Sequence, residues 1–291
     1  MSLKAKLGKE FVFTTELGGI KGALLNESID RAREYVDVDA INVHDCPNAC
    51  LRMNSVMASA LIQRELGIET IPHFTCRDRS LLGTQADLLG AHALGIRYIL
   101  PVTGDSPQRC AYPSTGVFNY NTFELIKLID DLNHGQDAAG TEIKGSTEFF
   151  VGATATPGTA NLDVEIKRMQ KKIDSGAKFF QTQATYDLEK TKKFLAEAKK
   201  LGKPIILGVM LIKGLKMAQF VDKKIAGVTV PESIFAELEQ GKTDFEIASE
   251  FISQIYNEID GLHIYAMGDV ATTNKIIQFT KGLLSSTNLT T

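Results

Sequence analysis

A short β-branched or apolar run, a loop with a polar residue and an amphipathic helical stretch recur along this chain, and that recurrence restricts its fold more than any other feature. The runs are EFVFTTEL (residues 10–17), AINVHD (40–45), IETIPHFT (68–75), RYILPVTG (97–104), TEFFVGATAT (147–156), KFFQTQAT (178–185), PIILGVM (204–210) and GLHIYAM (261–267). Helical period fills the intervals, as in SVMASALIQREL, TFELIKLIDDL and DLEKTKKFLAEAKKLG. Several stretches end at a glycine just before the next run (ELGIETI, ALGIRYI, KLGKPII), which is the left-handed cap that turns a helix back toward a sheet. Eight such units in 291 residues, without a Gly/Ser linker or low-complexity tract, predict an α/β fold, a single (β/α)8 TIM barrel over residues 1–291 with 283–291 as a flexible tail. Longer loops are expected at 105–121, 134–146 and 225–242, the last holding a short helix at PESIFAELEQ.

Composition narrows the function classes. With 44% apolar and 23% charged residues the chain can bury a large core, which excludes a disordered or fibrous protein. A net charge of −3 lacks the basic excess that duplex binding uses, so nucleic acid is not expected as a partner. No apolar run approaches the roughly 18 residues of a membrane span. Four cysteines are too few for a disulfide framework, and MSLKAKLGKE has no apolar signal core, so a cytoplasmic protein is expected.

Barrel chemistry gathers at the carboxyl ends of the strands. The polar residues there are Glu16, His44, Asp45, His73, Thr75, Asp105, Thr154, Thr156, Gln183, Tyr265 and Asp269, with Met210 beside them. The chain has no Walker loop, GxSxG, HExxH or GxGxxG. Walled by Phe and Leu, the Glu16 carboxyl is expected to be desolvated and its pKa raised, making it a proton donor near neutral pH; a loop or helix cap is the competing explanation. For Asp105, in VTGDSP, a local Asx turn competes with a functional role. Cys46 and Cys50 form a single Cys-x3-Cys pair, so no metal is expected and buried structural cysteines are the default. His73, His134 and His263 read as satisfied core or rim histidines, and the basic face of EIKRMQKKID (Arg168, Lys171, Lys172) as either solvated or phosphate-directed.

The segments FVFTTEL, IPHFTCRDRS, LGIRYILPVTGDSP, VGATATP, NLDVEIKRMQKKIDSGAKFFQTQATYD, PIILGVM and HIYAMGD, in this order over residues 10–283, resemble the methylenetetrahydrofolate reductase family. The resemblance implies a flavin enzyme that reduces 5,10-methylenetetrahydrofolate to 5-methyltetrahydrofolate. Carried over by motif, Glu16 is the general acid that protonates N10 and opens the five-membered ring, and hydride comes from the reduced flavin N5. Asp105 sits at flavin and folate, and Gln183 at the pterin edge. His44, His73, Thr75, Gly104, Thr154 and Thr156 are implied to line the flavin, and Glu165, Arg168, Lys171 and Lys172 to meet its ribityl, phosphate or adenosine part. Leu215 stands where relatives carry an aromatic that stacks on folate or nicotinamide.

Departures bear on the cofactor. Thr156 replaces a Tyr, PGTANLD lacks a family His, and Thr103 replaces an Arg, which leaves FAD and FMN both open. The loop HDCPNACLRMNS resembles the branch of anaerobic one-carbon metabolism, where some members take electrons from a second subunit. The donor is therefore NAD(P)H or a partner redox protein, in an oligomer or hetero-complex. A non-catalytic folate- or flavin-binding subunit, and a related barrel that oxidises an amine or amino acid such as proline, are the other readings.

Overall fold

The computed structural model describes residues 1–110, 115–225 and 227–288. Eight strands, β1 (Val12–Leu17), β2 (Ala40–Val43), β3 (Glu69–Thr75), β4 (Tyr98–Val102), β5 (Phe150–Ala155), β6 (Phe179–Ala184), β7 (Ile205–Met210) and β8 (Gly261–Tyr265), pair in sequence order into a closed barrel. Every pairing is parallel, and β8 closes on β1 with His263 opposite Thr14. The (β/α)8 TIM barrel is therefore the observed fold, and all eight runs lie on its strands.

The helices are α1 (Leu3–Lys6), α2 (Asn26–Arg33), α3 (Ser55–Leu66), α4 (Leu81–Ala93), α5 (Thr122–Asn133), α6 (Leu162–Asp174), α7 (Leu188–Ala198), α8 (Leu215–Lys224), α9 (Glu232–Glu239), α10 (Asp244–Ser253) and α11 (Val270–Asn288). Caps set several boundaries. Asn54, Ser80, Asn121 and Asp187 accept backbone N–H groups at the starts of α3, α4, α5 and α7, and Gly67 ends α3 at φ 67°. The expected short helix at PESIFAELEQ is α9. The expected tail 283–291 begins inside α11, which runs to Asn288; the remaining three residues lie outside the described ones, as do 111–114 within the expected loop 105–121.

Alternation along the strands divides the interior in two. Val12, Ala40, Ile71, Tyr98, Leu100, Phe179 and Ile206 fill the amino-terminal end of the barrel, plugged from below by Leu3 and Leu7. Gly152 makes room for this packing, since a Cβ there would meet the Phe179 ring at 2.6 Å. Outward residues such as Phe74, Ile99, Val151, Phe180 and Leu207 pack beneath the helices as the main apolar core. With the amino-terminal end sealed, the inward positions nearer the carboxyl ends are left to polar side chains.

Candidate active site

On four strands the inward column changes from apolar to polar as it climbs: Val12, Thr14, Glu16 on β1; Ala40, Asn42, His44 at β2; Ile71, His73, Thr75 on β3; Phe179, Gln181, Gln183 on β6. Asn42 reaches across the barrel, its Nδ2 donating to Gln181 Oε1 at 3.0 Å and lying 3.1 Å from His73 Nε2. On β8, His263 is fully buried, with Nδ1 2.9 Å from the Thr14 hydroxyl.

Above this layer Glu16 Oε2 and His44 Nε2 form an ion pair at 2.8 Å, and neither atom bonds to a third group among the described residues. The His44 ring stacks on that of His73, centroids 4.7 Å apart. Burial pushes the Glu16 carboxyl up, but the charge and hydrogen bond of His44, aided by His263 and the backbone N–H of Met267, outweigh it and the pKa is lowered. This corrects the sequence expectation of a raised Glu16. Burial opposes the charge on His44 as well, yet Glu16 and Asp105 carry its pKa above the ordinary value. The neighbouring rings go the other way: burial and the positive His44 hold His73 well below the usual range, and burial pushes His263 down to about 3. One imidazole of the three is thus set to carry charge.

The rim is tied by carboxylates. Asp45, buried, accepts from the Thr75 N–H (3.0 Å), the Thr75 hydroxyl (2.9 Å) and Arg79 Nη1 (2.7 Å), holding the end of β3. Asp105 is not in a local Asx turn: its Oδ2 accepts the Asn48 N–H at 2.7 Å and its Oδ1 lies 3.2 Å from Arg109, so it joins the loops after β2 and β4. Gly104, at φ 90°, approaches Thr75 and Arg77 so closely that a Cβ would lie 3.1 and 3.0 Å from theirs. Arg77 is buried, and its Nη1 has no partner among the described residues.

Helix α6 separates its basic residues. Lys172 is buried, donating to the Thr154 carbonyl at 2.6 Å, and Glu165 accepts the Thr156 N–H at 2.9 Å. Both therefore support the end of β5, while Lys171 and Arg168 are exposed. Gln183 is half-buried on β6, near the loop after α8: a Cβ at Gly227 would lie 3.7 Å from Gln183 Cγ and 3.1 Å from Thr156 Cγ2. Leu215 is half-buried at the first position of α8. Only Cys76 among the cysteines is buried; Cys46, Cys50 and Cys110 are half-exposed rim residues, contrary to the expectation of a buried set. His134 likewise lies exposed at the end of α5, 3.6 Å from Asp130, rather than in a core.

Sequence reasoning missed Asn42, Gln181, Arg77 and Arg79. For Asn42 and Gln181 the signal was inward register, each lying two positions below a chosen residue, His44 or Gln183, and so on the same face; Arg77 and Arg79 lie in the loop beyond the end of β3, where register gives no signal.

The fold and the site define a (β/α)8 barrel with a buried carboxylate–imidazole ion pair at the mouth. The chain belongs to the methylenetetrahydrofolate reductase family, whose model matches residues 10–281. It is 24% identical over 268 residues to a probable methylenetetrahydrofolate reductase (NADPH) of Caenorhabditis elegans, covering 87% of this chain and 39% of that one. It is 28% identical over 225 residues to methylenetetrahydrofolate reductase 2 of Saccharomyces cerevisiae, covering 72% and 36%. The chain thus spans under two fifths of the length of these relatives. Among solved structures, dihydropteroate synthase from Thermus thermophilus superposes with a TM-score of 0.52 at 14% identity, covering 94% and 95% of the two chains, a likeness of fold. No helix among the described residues is long and apolar enough to cross a membrane.

Proposed function

We propose that this chain reduces 5,10-methylenetetrahydrofolate to 5-methyltetrahydrofolate with a bound flavin. The observation that carries the reading is the buried Glu16–His44 pair at the mouth of a barrel of this family. Reduction of the bridging carbon needs a proton at N10 as the ring opens, and Glu16 is the group that supplies it. Opening breaks the bond between N10 and the bridging carbon, the electron pair stays on N10, and the carbon becomes an iminium ready to accept hydride. A nucleophile is not required, which agrees with a polar set made of carboxylates, amides, hydroxyls and imidazoles.

The residues fit a flavin. Gly104 leaves bare backbone between Thr75 and Arg77, and Arg77 Nη1 is a buried donor without a partner among the described residues, as an anion or carbonyl of a cofactor would require. His73, Thr75, Gly104, Asp105, Thr154 and Thr156 would hold it, with Arg168 and Lys171 reaching any phosphate; bound there, it supplies the hydride. Glu165 and Lys172 act by fixing β5. Gln183 and Asp105 would orient the pterin, and Leu215 would bound the substrate side. FAD and FMN are both compatible with this set, and the donor is NAD(P)H, in line with relatives named for NADPH and NADH, or a partner redox subunit.

The test is reoxidation of the photoreduced flavin by methylenetetrahydrofolate without oxygen. Glu16→Gln is expected to keep flavin binding and to slow reoxidation by about 10² to 10⁴-fold, the usual worth of a general acid. Unchanged reoxidation removes Glu16 from the role.

A further inference from the structure

Glu16 with a lowered pKa is a carboxylate at neutral pH, and a carboxylate has no proton to give. The geometry points to His44 as the positioning residue that supplies it: Glu16 and His44 hold one proton between them, resting on Nε2 and reaching the substrate through Oε2. This rests on the reaction proposed above and adds the source of its proton.

Three observations carry it. First, Nε2 and Oε2 face each other 2.8 Å apart as an ion pair, and neither atom bonds to a third group among the described residues, so the two are placed to pass a single proton from one to the other. Second, the His44 side chain is the more open to solvent, 21% exposed against 7% for Glu16, so the imidazole is the readier route by which a proton lost from the pair returns. Third, the surroundings favour charge on this ring alone. From β3, His73 stacks on it as a neutral ring; from β8, His263 stays neutral and the Tyr265 hydroxyl, its pKa raised by burial, stays protonated. From the loop after β4, Asp105 adds a negative charge, and from the loop after β8 the Met267 N–H faces Glu16. In the step itself the Nε2 proton passes to Oε2 and on to N10, the bond between N10 and the bridging carbon breaks with its electron pair on N10, and His44 is left neutral until solvent reprotonates it.

The test has two readouts. In the flavin-loaded enzyme with labelled histidines, NMR titration is expected to place His44 above the ordinary value of about 6.5, and Glu16→Gln to bring it down by at least about tenfold in proton affinity. A His44 that titrates below the ordinary value, or ignores Glu16→Gln, overturns the shared proton. In the flavin reoxidation assay, the wild-type rate falls as pH rises through the His44 titration, whereas His44→Gln is expected to be slower by about 10² or more and to lose that limb. A uniform loss at every pH with the limb retained means a structural role and overturns the proposal. If wild-type flavin is not reoxidised by methylenetetrahydrofolate at any pH, the reaction and the part of His44 in it both fall, and a coupling that persists in the NMR titration shows that the paired geometry was not the cause.

Discussion

Lys172 offers a test of the site that needs no turnover. Its side chain is buried (4% exposed) and its Nζ bonds to the Thr154 carbonyl at 2.6 Å. Burial, partly offset by Glu165 and reinforced by Arg168, lowers its pKa from 10.5 to about 8. The unfolded chain keeps the proton up to its ordinary pKa, so in the window from about 8 to 10.5 the unfolded state binds more protons and stability rises with pH. Integrating that difference from pH 7 to pH 10 gives a gain of about 2.5 kcal/mol. Lys172→Met removes the titration from both states. The difference in urea-unfolding free energy between wild type and Lys172→Met is therefore expected to shift toward the wild type by about 2.5 kcal/mol across that range. A difference that stays constant to within about 0.5 kcal/mol refutes the buried ammonium at the end of β5. A phosphate docked beside Nζ would stabilise the charge and move the rise to higher pH, so repeating both titrations with FMN or FAD tells whether the cofactor reaches this lysine.

Two other substitutions probe the rim. Asp45→Ala removes the acceptor of the Thr75 N–H and of Arg79 Nη1, and should cost about 3–5 kcal/mol in urea unfolding, as for breaking a buried ion pair; a cost below about 1 kcal/mol would show that water replaces the carboxylate. Gly104→Ala places a Cβ 3.0 Å from that of Arg77 at a φ of 90°, and should cost about 1–3 kcal/mol and weaken flavin binding measured by fluorescence quenching; wild-type flavin affinity would detach this turn from the cofactor.

The fold was legible because each strand is a short apolar run bounded by glycine or a polar loop, and because Gly67, Gly95 and Gly202 do adopt positive φ before the next strand. Helix α11 was not legible: the first turns of VATTNKIIQF hold Thr272, Thr273 and Asn274, poor helix formers, and its place is decided by burial of Ile276 and Ile277 against the barrel. Within the site, the chosen positions for Glu16, His44 and His73 converge because register places them at one end of adjacent strands. Their protonation did not follow from sequence. The apolar neighbours of Glu16 argued for a raised pKa, and the closeness of His44, with smaller help from His263 and the Met267 N–H, reverses the sign. On α6 the periodicity allowed either lysine to face the barrel, and packing chose Lys172.

The polar layer explains why three histidines share one mouth without three charges. Burying Asn42, Gln181 and His263 forgoes apolar packing, and each keeps a hydrogen bond that limits the cost. The result is a site in which Glu16 is the carboxylate and His44 the ring that balances it. Under the proposed reaction this balance matters once the proton has left: Glu16 is then negative and His44 neutral, facing a cationic iminium in a poorly solvated mouth, where an opposite charge stabilises it strongly. A second protonated ring at His73 or His263 would cancel that stabilisation, so their depressed pKa values favour the ring-opened state as much as His44 favours its formation.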